Sequence, residues 1–232
     1  MNTNNDNQAA TVHIAHCVDT EGPLWEALSE TFVRIKSIFD IDIEPTRENL
    51  KKLQNNELDL GELGKNIATV FGPNVLNYHG SWDAIDEMFD EIMSAEYRNE
   101  LPDSFGRGWV YNWACIDHVG FVENPRRRDL GYLNVFDHMK DRITTDRDCA
   151  EDSLHFHYHP VPFSKKAYHS ATHYFNNGDT LFQVLARRII ERNWFPSVNR
   201  AGFHTTRPDS HWFMEQHIPF DISSQATVQD YS

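Results

Sequence analysis

Short strand-like runs alternate with helical stretches along this chain, and that alternation limits the folds open to it. Residues 11–18, 109–116 and 154–159 are rich in the β-branched and aromatic side chains typical of strands. Between them, apolar residues recur at three- and four-residue steps, which indicates amphipathic helices. This order predicts an α/β fold whose strands form a parallel sheet or a barrel.

The helical signal is strongest in the first half of the chain. Helices are predicted over 24–39, after Thr46, over 60–71, from a Ser81 cap to about Ala95, over 132–143 and over 180–193. Residues 199–203 and 218–222 are short candidate strands. We therefore expect one domain over 1–232, with a disordered leader at 1–10 and a helical insertion at 24–105.

Composition excludes several classes of protein. The net charge of -14 repels nucleic-acid phosphates and anionic lipids, so neither nucleic acid nor a membrane is expected as a partner. No run reaches the roughly 18 to 20 apolar residues of a membrane helix, and residues 1–10 do not resemble a signal peptide. The three cysteines form no disulfide framework, which favours a cytoplasmic protein.

A row of histidines carries the sharpest chemical signal. His155, His157 and His159 alternate along a predicted strand that ends at Pro160, so their imidazoles should project from the same side. Neutral imidazoles at this spacing are typical ligands of a borderline metal such as zinc. The alternative is a row of solvated or hydrogen-bonded histidines on an edge strand.

Two further segments carry charged side chains at strand ends. Asp19 and Glu21 alternate after the first predicted strand, where one carboxylate can bind a metal and the other can take a proton from water. Taken alone, this pair is more often a helix cap or a solvated turn. Arg200 is followed by Gly202, a combination suited to clamping a carboxylate because glycine lets backbone approach closely.

In this order, the segments resemble the motifs of the polysaccharide deacetylase family with NodB homology. The matching segments read DTE at 19–21, HFHYHP at 155–160, RAG at 200–202 and DISS at 221–224. Residues 113–118 are similar to the second strand of that family, and the resemblance spans about residues 11 to 224. It implies a distorted or incomplete (β/α) barrel of the NodB type, with the helical insertion after the first strand.

The resemblance also implies roles for individual residues. Glu21, His155 and His159 would hold a divalent metal, with zinc the expected ion. Asp19 would be the base that takes a proton from the metal-activated water, and Arg200 would orient Asp19. Glu21 stands where the family has an aspartate, so the reverse assignment of the two carboxylates stays open. The residues expected near the substrate or behind the ligands are His157, Asp117, His118, Trp113 and His204.

The general acid is not identified by these motifs. The family has a catalytic histidine on a late strand, whereas this sequence ends at Ser232 before such a strand. Either His118, His204 or His211 supplies the proton, or the chain is shortened.

The resulting hypothesis is a metal-dependent hydrolase of carbohydrate metabolism that removes N- or O-acetyl groups from a sugar or polysaccharide. It would cleave a carbon-nitrogen amide bond or an acetyl ester, with Trp109, Trp113 and Trp212 as candidate walls for a sugar ring. One alternative is a catalytically silent relative that binds carbohydrate or a protein partner. Another is a metallohydrolase of the amidohydrolase type, in which His155 and His157 begin the metal site.

Overall fold

The computed structural model describes residues 10–73, 75, 79–120, 126–128, 131–146, 148, 151–161, 178–202 and 208–222. Its main strands are β1 (His16–Thr20), β3 (Tyr111–Ile116), β5 (Ser153–Tyr158), β6 (Val198–Ala201) and β7 (Phe220–Asp221). In the described residues these five strands form one parallel sheet in the order β1-β3-β5-β6-β7. Two further strands, β2 (Leu24–Glu26) and β4 (Arg126–Arg128), form a small antiparallel pair.

Helices connect the strands. They are α1 (Leu28–Phe39), α2 (Arg47–Gln54), α3 (Glu62–Val70), α4 (Trp82–Ile92), α5 (Ala95–Arg98), α6 (Asn134–Thr145), α7 (Gly178–Arg192) and α8 (Pro208–His217). The predicted Ser81 cap is confirmed, because Ser81 accepts a hydrogen bond from the Ala84 amide. The structure adds a second cap at Thr46, which accepts a hydrogen bond from the Asn49 amide. The fold is therefore α/β with a parallel sheet, as the alternation of strands and helices predicts.

One predicted helix begins later than expected. Residues 24–26 have helical apolar spacing, but they form β2 and pair with residues 126–128, and α1 begins at Leu28. Pairing with a strand about a hundred residues away overrides the local spacing, which sequence periodicity alone does not reveal. The predicted leader at 1–10 lies almost wholly outside the described residues.

The two faces of the sheet differ in chemistry. Residues paired in register project from the same side of a parallel sheet, so one face carries Trp113, Cys115, Phe156, Tyr158 and Ala201. We call the opposite side the polar face; it carries Asp19, Asn112, Ser153, His155, His157 and Arg200. The sheet thus turns apolar side chains to one layer of helices and polar side chains to the other side.

The apolar face is the core of the molecule. Ile85, Phe89 and Met93 from α4, with Phe136 and Met139 from α6, pack on β3. Helices α7 and α8 pack on β5 and β6 in a second cluster. A third cluster joins α1, α2 and α3 and contains none of the sheet residues. Each fully buried large apolar side chain contributes roughly 1.5–3 kcal/mol, so these clusters dominate the stability.

None of the helices in the described part of the chain is both long and apolar enough to cross a membrane.

Candidate functional site

Parallel strands end at a common edge, and there this sheet gathers charged and imidazole side chains. Glu21 follows the end of β1, His159 follows the end of β5, and Arg200 lies one residue before the end of β6. In open parallel sheets, ligands bind at this carboxyl edge because several loops converge on it. The predicted site residues from three distant parts of the sequence therefore meet at one edge.

Arg200 and Asp19 are in direct contact. Arg200 Nε donates to Asp19 Oδ1 at 2.5 Å, and Arg200 Nη1 donates to the Ile222 carbonyl at 3.3 Å. The strands β6 and β1 are three positions apart in the sheet, a separation of roughly 14 Å if the sheet were flat. Two extended side chains and one hydrogen bond reach about 11 Å. The polar face is therefore concave, and Arg200 lies across it.

His157 is held in one tautomer by the neighbouring strand. Its Nδ1 lies 2.7 Å from the carbonyl oxygen of Arg200, which can only accept, so Nδ1 carries the proton. Burial lowers the pKa of His157, although the nearby carboxylates of Asp19 and Glu21 oppose that effect. The imidazole is therefore neutral near neutral pH, and its Nε2 keeps a lone pair.

That lone pair faces His159. The two Nε2 atoms lie 3.0 Å apart, and Glu21 Oε1 lies 3.9 Å from His159 Nε2. Nitrogens that share a tetrahedral zinc ion at about 2.0–2.1 Å lie roughly 3.3–3.4 Å from each other. As a hydrogen bond, the contact requires His159 to donate to His157. The spacing is somewhat shorter than that of two nitrogens that share a zinc ion, so a bound cation would require the two rings to move slightly apart.

Glu21 lies farther from His159 than His157 does. Within the described residues, no three histidine, cysteine, aspartate or glutamate side chains are already close enough to hold a metal ion. The side chain of Glu21 is 31% exposed and that of His159 is 11% exposed. The donor types fit a divalent metal, but the two imidazole nitrogens lie slightly closer together than zinc ligands do, and Glu21 stands slightly farther out.

His155 belongs to a different hydrogen-bond group on the same polar face. Its Nε2 lies 2.9 Å from both Asn112 Oδ1 and Ser153 Oγ. Asn112 Nδ2 donates to the His16 carbonyl at 3.1 Å, which turns Oδ1 toward His155 and identifies His155 Nε2 as the protonated nitrogen. Burial lowers the pKa of His155, so the ring is neutral.

The position of His155 separates it from the edge. Its Nε2 turns toward the amino end of β5, whereas His159 lies beyond the carboxyl end, about 13 Å farther along an extended strand. The other nitrogen, Nδ1, is buried and has no hydrogen-bond partner among the residues that the structure describes. The structure therefore brings together His157, His159 and Glu21, and leaves His155 with a buried lone pair nearer the middle of the polar face.

Two of the residues expected near the substrate lie in the apolar core instead. Trp113 is fully buried and its indole donates to Asp152 at 2.9 Å, so it presents no wall to a sugar. The Asp117 carboxylate is fully buried against Arg188 and accepts from the Leu133 amide at 2.8 Å. Both side chains serve the packing of β3.

The histidines considered as general acids are distributed differently. The His118 ring meets the His159 ring edge-on, with 6.2 Å between centroids, so it borders the group at the edge. His211 is exposed on α8, and His204 lies outside the described residues. Of the other two predicted ring-stacking residues, Trp109 stacks on His16 and Trp212 is 56% exposed on α8.

Sequence reasoning missed Asn112 and Ser153. Ser153 stands two residues before His155, so strand alternation alone could have placed it on the polar face. Asn112 could not be found in this way, because its contact with His155 depends on the register between β3 and β5.

Comparisons of this chain with models of known protein families, with curated protein sequences and with solved protein structures found no match. Its function is therefore argued from the chemistry of the site.

Proposed function

We propose that this chain is a metal-dependent hydrolase that removes acetyl groups from a sugar or polysaccharide. The observation that carries the proposal is the 3.0 Å separation of His157 Nε2 and His159 Nε2 at the carboxyl edge of the sheet, next to Glu21. The order of the segments at 19–21, 155–160 and 200–202, which is that of the polysaccharide deacetylases, supports the substrate class. The concave polar face supports a barrel-like arrangement of the strands.

Three side chains are proposed to hold the metal: Glu21, His157 and His159. Two imidazoles and one carboxylate form a donor set typical of catalytic zinc, and the carbonyl of Arg200 orients His157 as a ligand. Such an ion would act as a Lewis acid. It would polarise a carbonyl group and lower the pKa of a water molecule bound to it. The set implied by the family motif has His155 in place of His157; the geometry favours His157 because its lone pair already faces His159.

Asp19 is proposed as the base. The hydrogen bond from Arg200 fixes the direction of the Asp19 carboxylate, whose side chain remains 38% exposed and can take a proton from water. Glu21, by contrast, lies beside the imidazoles, with 3.9 Å between its Oε1 and His159 Nε2. This difference in surroundings supports Asp19 as the base and Glu21 as the ligand.

The test is acetate release from acetylated chito-oligosaccharides and acetylated xylan by protein loaded with Zn²⁺, Co²⁺ or Ni²⁺. Asp19→Asn should keep the metal and lose turnover by about 10²–10⁴-fold, the usual worth of a general base. Glu21→Gln should lose metal and turnover together. Asp42→Asn, a change at an aspartate that pairs with Lys36 on the surface, serves as the matched control and should change neither.

The outcomes separate the alternatives. If Asp19→Asn loses the metal while Glu21→Gln keeps it, the two carboxylates have exchanged roles. If metal-loaded protein binds the glycans but releases no acetate, the chain is a silent carbohydrate-binding relative and the hydrolase proposal is wrong.

A further inference from the structure

The loop that follows β1 packs against the aromatic ring of Trp82. Gly22 comes directly after Glu21 and has a φ of +72°, a conformation that glycine adopts without strain. A methyl group at Gly22 would lie 3.0 Å from Val135 Cγ2 and 3.2 Å from Trp82 Cη2. The backbone beside Glu21 therefore packs directly against Trp82 and Val135, with no room for a side chain between them.

Trp82 is itself held by two helices. The His138 ring of α6 stacks on the Trp82 ring, with 3.8 Å between centroids and 19° between planes. His138 Nε2 lies 2.8 Å from Asp86 Oδ1, and Asp86 is one turn beyond Trp82 on α4. Val135 and His138 are three residues apart on α6 and share one face of it. Trp82 of α4 and Val135 and His138 of α6 thus hold Gly22 from two sides, and we call these three residues the clamp on Gly22.

Glu21 depends on this clamp more than the other two proposed ligands do. His157 lies within β5 and His159 follows its last residue, so the hydrogen-bonded strand positions both. Glu21 lies beyond the end of β1, where no strand pairing fixes it among the described residues, and its side chain is 31% exposed. A ligand on a loop keeps its geometry only when the surrounding side chains lock it.

We propose that Trp82 is a positioning residue that holds the Glu21–Gly22 backbone against α4 and α6, so that the Glu21 carboxylate faces His157 and His159. This inference rests on the proposed metal centre. Trp82 would touch neither metal nor substrate, and it would act only through the backbone of Gly22.

The first test is a Co²⁺ titration followed by calorimetry and by the visible absorption of the bound ion. Trp82→Leu removes the ring from Gly22 and should weaken Co²⁺ binding by about 10–100-fold, the usual effect of losing support behind a ligand. Trp82→Phe keeps a ring on His138 but lacks the Cζ2 and Cη2 atoms that approach Gly22, so it should restore only part of the affinity. Trp194→Leu is the matched control, because Trp194 packs on Phe136 in the same core without a role at Gly22.

The second test does not depend on metal. Hydrogen exchange of the amides at residues 20–24 should be faster in metal-free Trp82→Leu than in wild type, and unchanged in Trp194→Leu. If wild type binds no Co²⁺, the proposed metal centre is wrong, and the exchange rates alone decide whether Trp82 holds the loop. Folded Trp82→Leu with wild-type affinity and wild-type exchange would overturn the inference, as would an equal loss of affinity in Trp194→Leu.

Discussion

Gly202 packs against His159 so closely that a single methyl group there would disturb the carboxyl edge. A Cβ on Gly202 would lie 2.3 Å from His159 Cδ2, 2.6 Å from the Tyr158 carbonyl oxygen and 2.9 Å from His159 Cα. Two of these atoms belong to the backbone of a central strand and its extension, which cannot move aside cheaply. The close backbone approach expected for the Arg-Ala-Gly segment is thus directed at a proposed ligand.

Gly202→Ala should therefore displace His159 and weaken metal binding, with a loss of about 1–3 kcal/mol in the free energy of unfolding. Gly178→Ala is the matched control, because a Cβ at Gly178, the first residue of α7, meets nothing within 4 Å in the described part of the chain. Metal titration and denaturant unfolding of both variants provide the measurement. Wild-type metal affinity in Gly202→Ala would show that His159 is not a ligand in the observed position.

Two buried histidines make stability depend on pH. Burial lowers the pKa of both His155 and His157 below the ordinary histidine value of about 6.5, which applies to the unfolded chain. Below that pH the unfolded chain takes up protons that the folded protein does not. The free energy of unfolding should therefore fall as the pH is lowered from about 6.5 toward the folded-state pKa values.

Denaturant unfolding between pH 8 and pH 5 measures this dependence, and comparison with His155→Gln and His157→Gln isolates the two residues. Each variant should show a shallower decrease than wild type below about pH 6.5, because the group that takes up a proton on unfolding has been removed. A slope equal to that of wild type in both variants would mean that neither histidine is neutral in the fold.

For individual residues, the sequence predicted the face of the sheet that a side chain occupies better than the groups that the side chain contacts. Strand alternation places His155 and His157 on one face, and the register confirms it. The choice of partner for each ring follows from Asn112 and from the carbonyl of Arg200, which belong to neighbouring strands. The spacing within one strand contains no information about its neighbours. The different hydrogen-bond partners of His155 and His157 could therefore not be predicted from it.

Among the secondary-structure elements, α6 and α7 are tied to β3 by a buried ion pair. Arg188 on α7 is fully buried; its Nε and Nη2 donate to Asp117 Oδ2 at 3.1 and 2.9 Å, and Nη2 also donates to the Cys115 carbonyl. Asp117 in turn accepts from the Leu133 amide just before α6. The Arg188 guanidinium lies over the rings of Phe136 and Phe156. Asp117 therefore connects α6 and α7 to the end of β3 and has a structural role.

Arg188→Met should cost about 3–5 kcal/mol in the free energy of unfolding, because it leaves the Asp117 carboxylate buried without its cation. Arg192→Met, one turn farther along α7, removes an ion pair with Asp137 whose side chains are 35% and 42% exposed, and it should cost less than about 1 kcal/mol. Urea unfolding of the two variants makes the comparison. Equal, small losses would show that the buried Asp117–Arg188 pair does not stabilise the fold more than the exposed pair does.

Most of the helices and of the strands in the parallel sheet were predictable from the sequence, and the exceptions have different causes. Helices α2 and α4 begin at Thr46 and Ser81 because a hydroxyl caps the first turn, which is local information. The strands β2 and β4 and the helices α5 and α8 escaped prediction. The structure of β2 depends on its pairing with β4, and α8 lacks a regular apolar stripe, with Phe213 and Met214 adjacent in its buried surface.

For the whole molecule, the segment predicted as one helical insertion contains two different parts. Helices α1 to α3 form their own cluster around Phe32, Ile35 and Ile67. Helix α4 instead joins the core of the sheet through Ile85, Phe89 and Met93. Helical periodicity shows that each helix has an apolar side but does not show which partner covers it. Trp82 of α4 forms one side of the clamp on Gly22, so part of the segment packs against the loop that carries Glu21.

The polar face of the sheet is the feature that joins fold and function. Parallel strands with one apolar and one polar face, curved so that Arg200 reaches Asp19, bring distant polar residues into one concave surface. At its carboxyl edge lie His157, whose ring is neutral, and the side chains of His159 and Glu21. The central claim is that these three side chains bind one divalent ion.

Metal content after incubation with Zn²⁺ and removal of the unbound ion tests that claim most directly, measured by plasma mass spectrometry on the wild type and on three single variants. We predict one zinc ion per wild-type chain, loss of the ion in His157→Ala and in His159→Ala, and retention in His155→Ala, whose ring is bound to Asn112 and Ser153. Wild-type protein without zinc, or retention of the ion in both His157→Ala and His159→Ala, would contradict it.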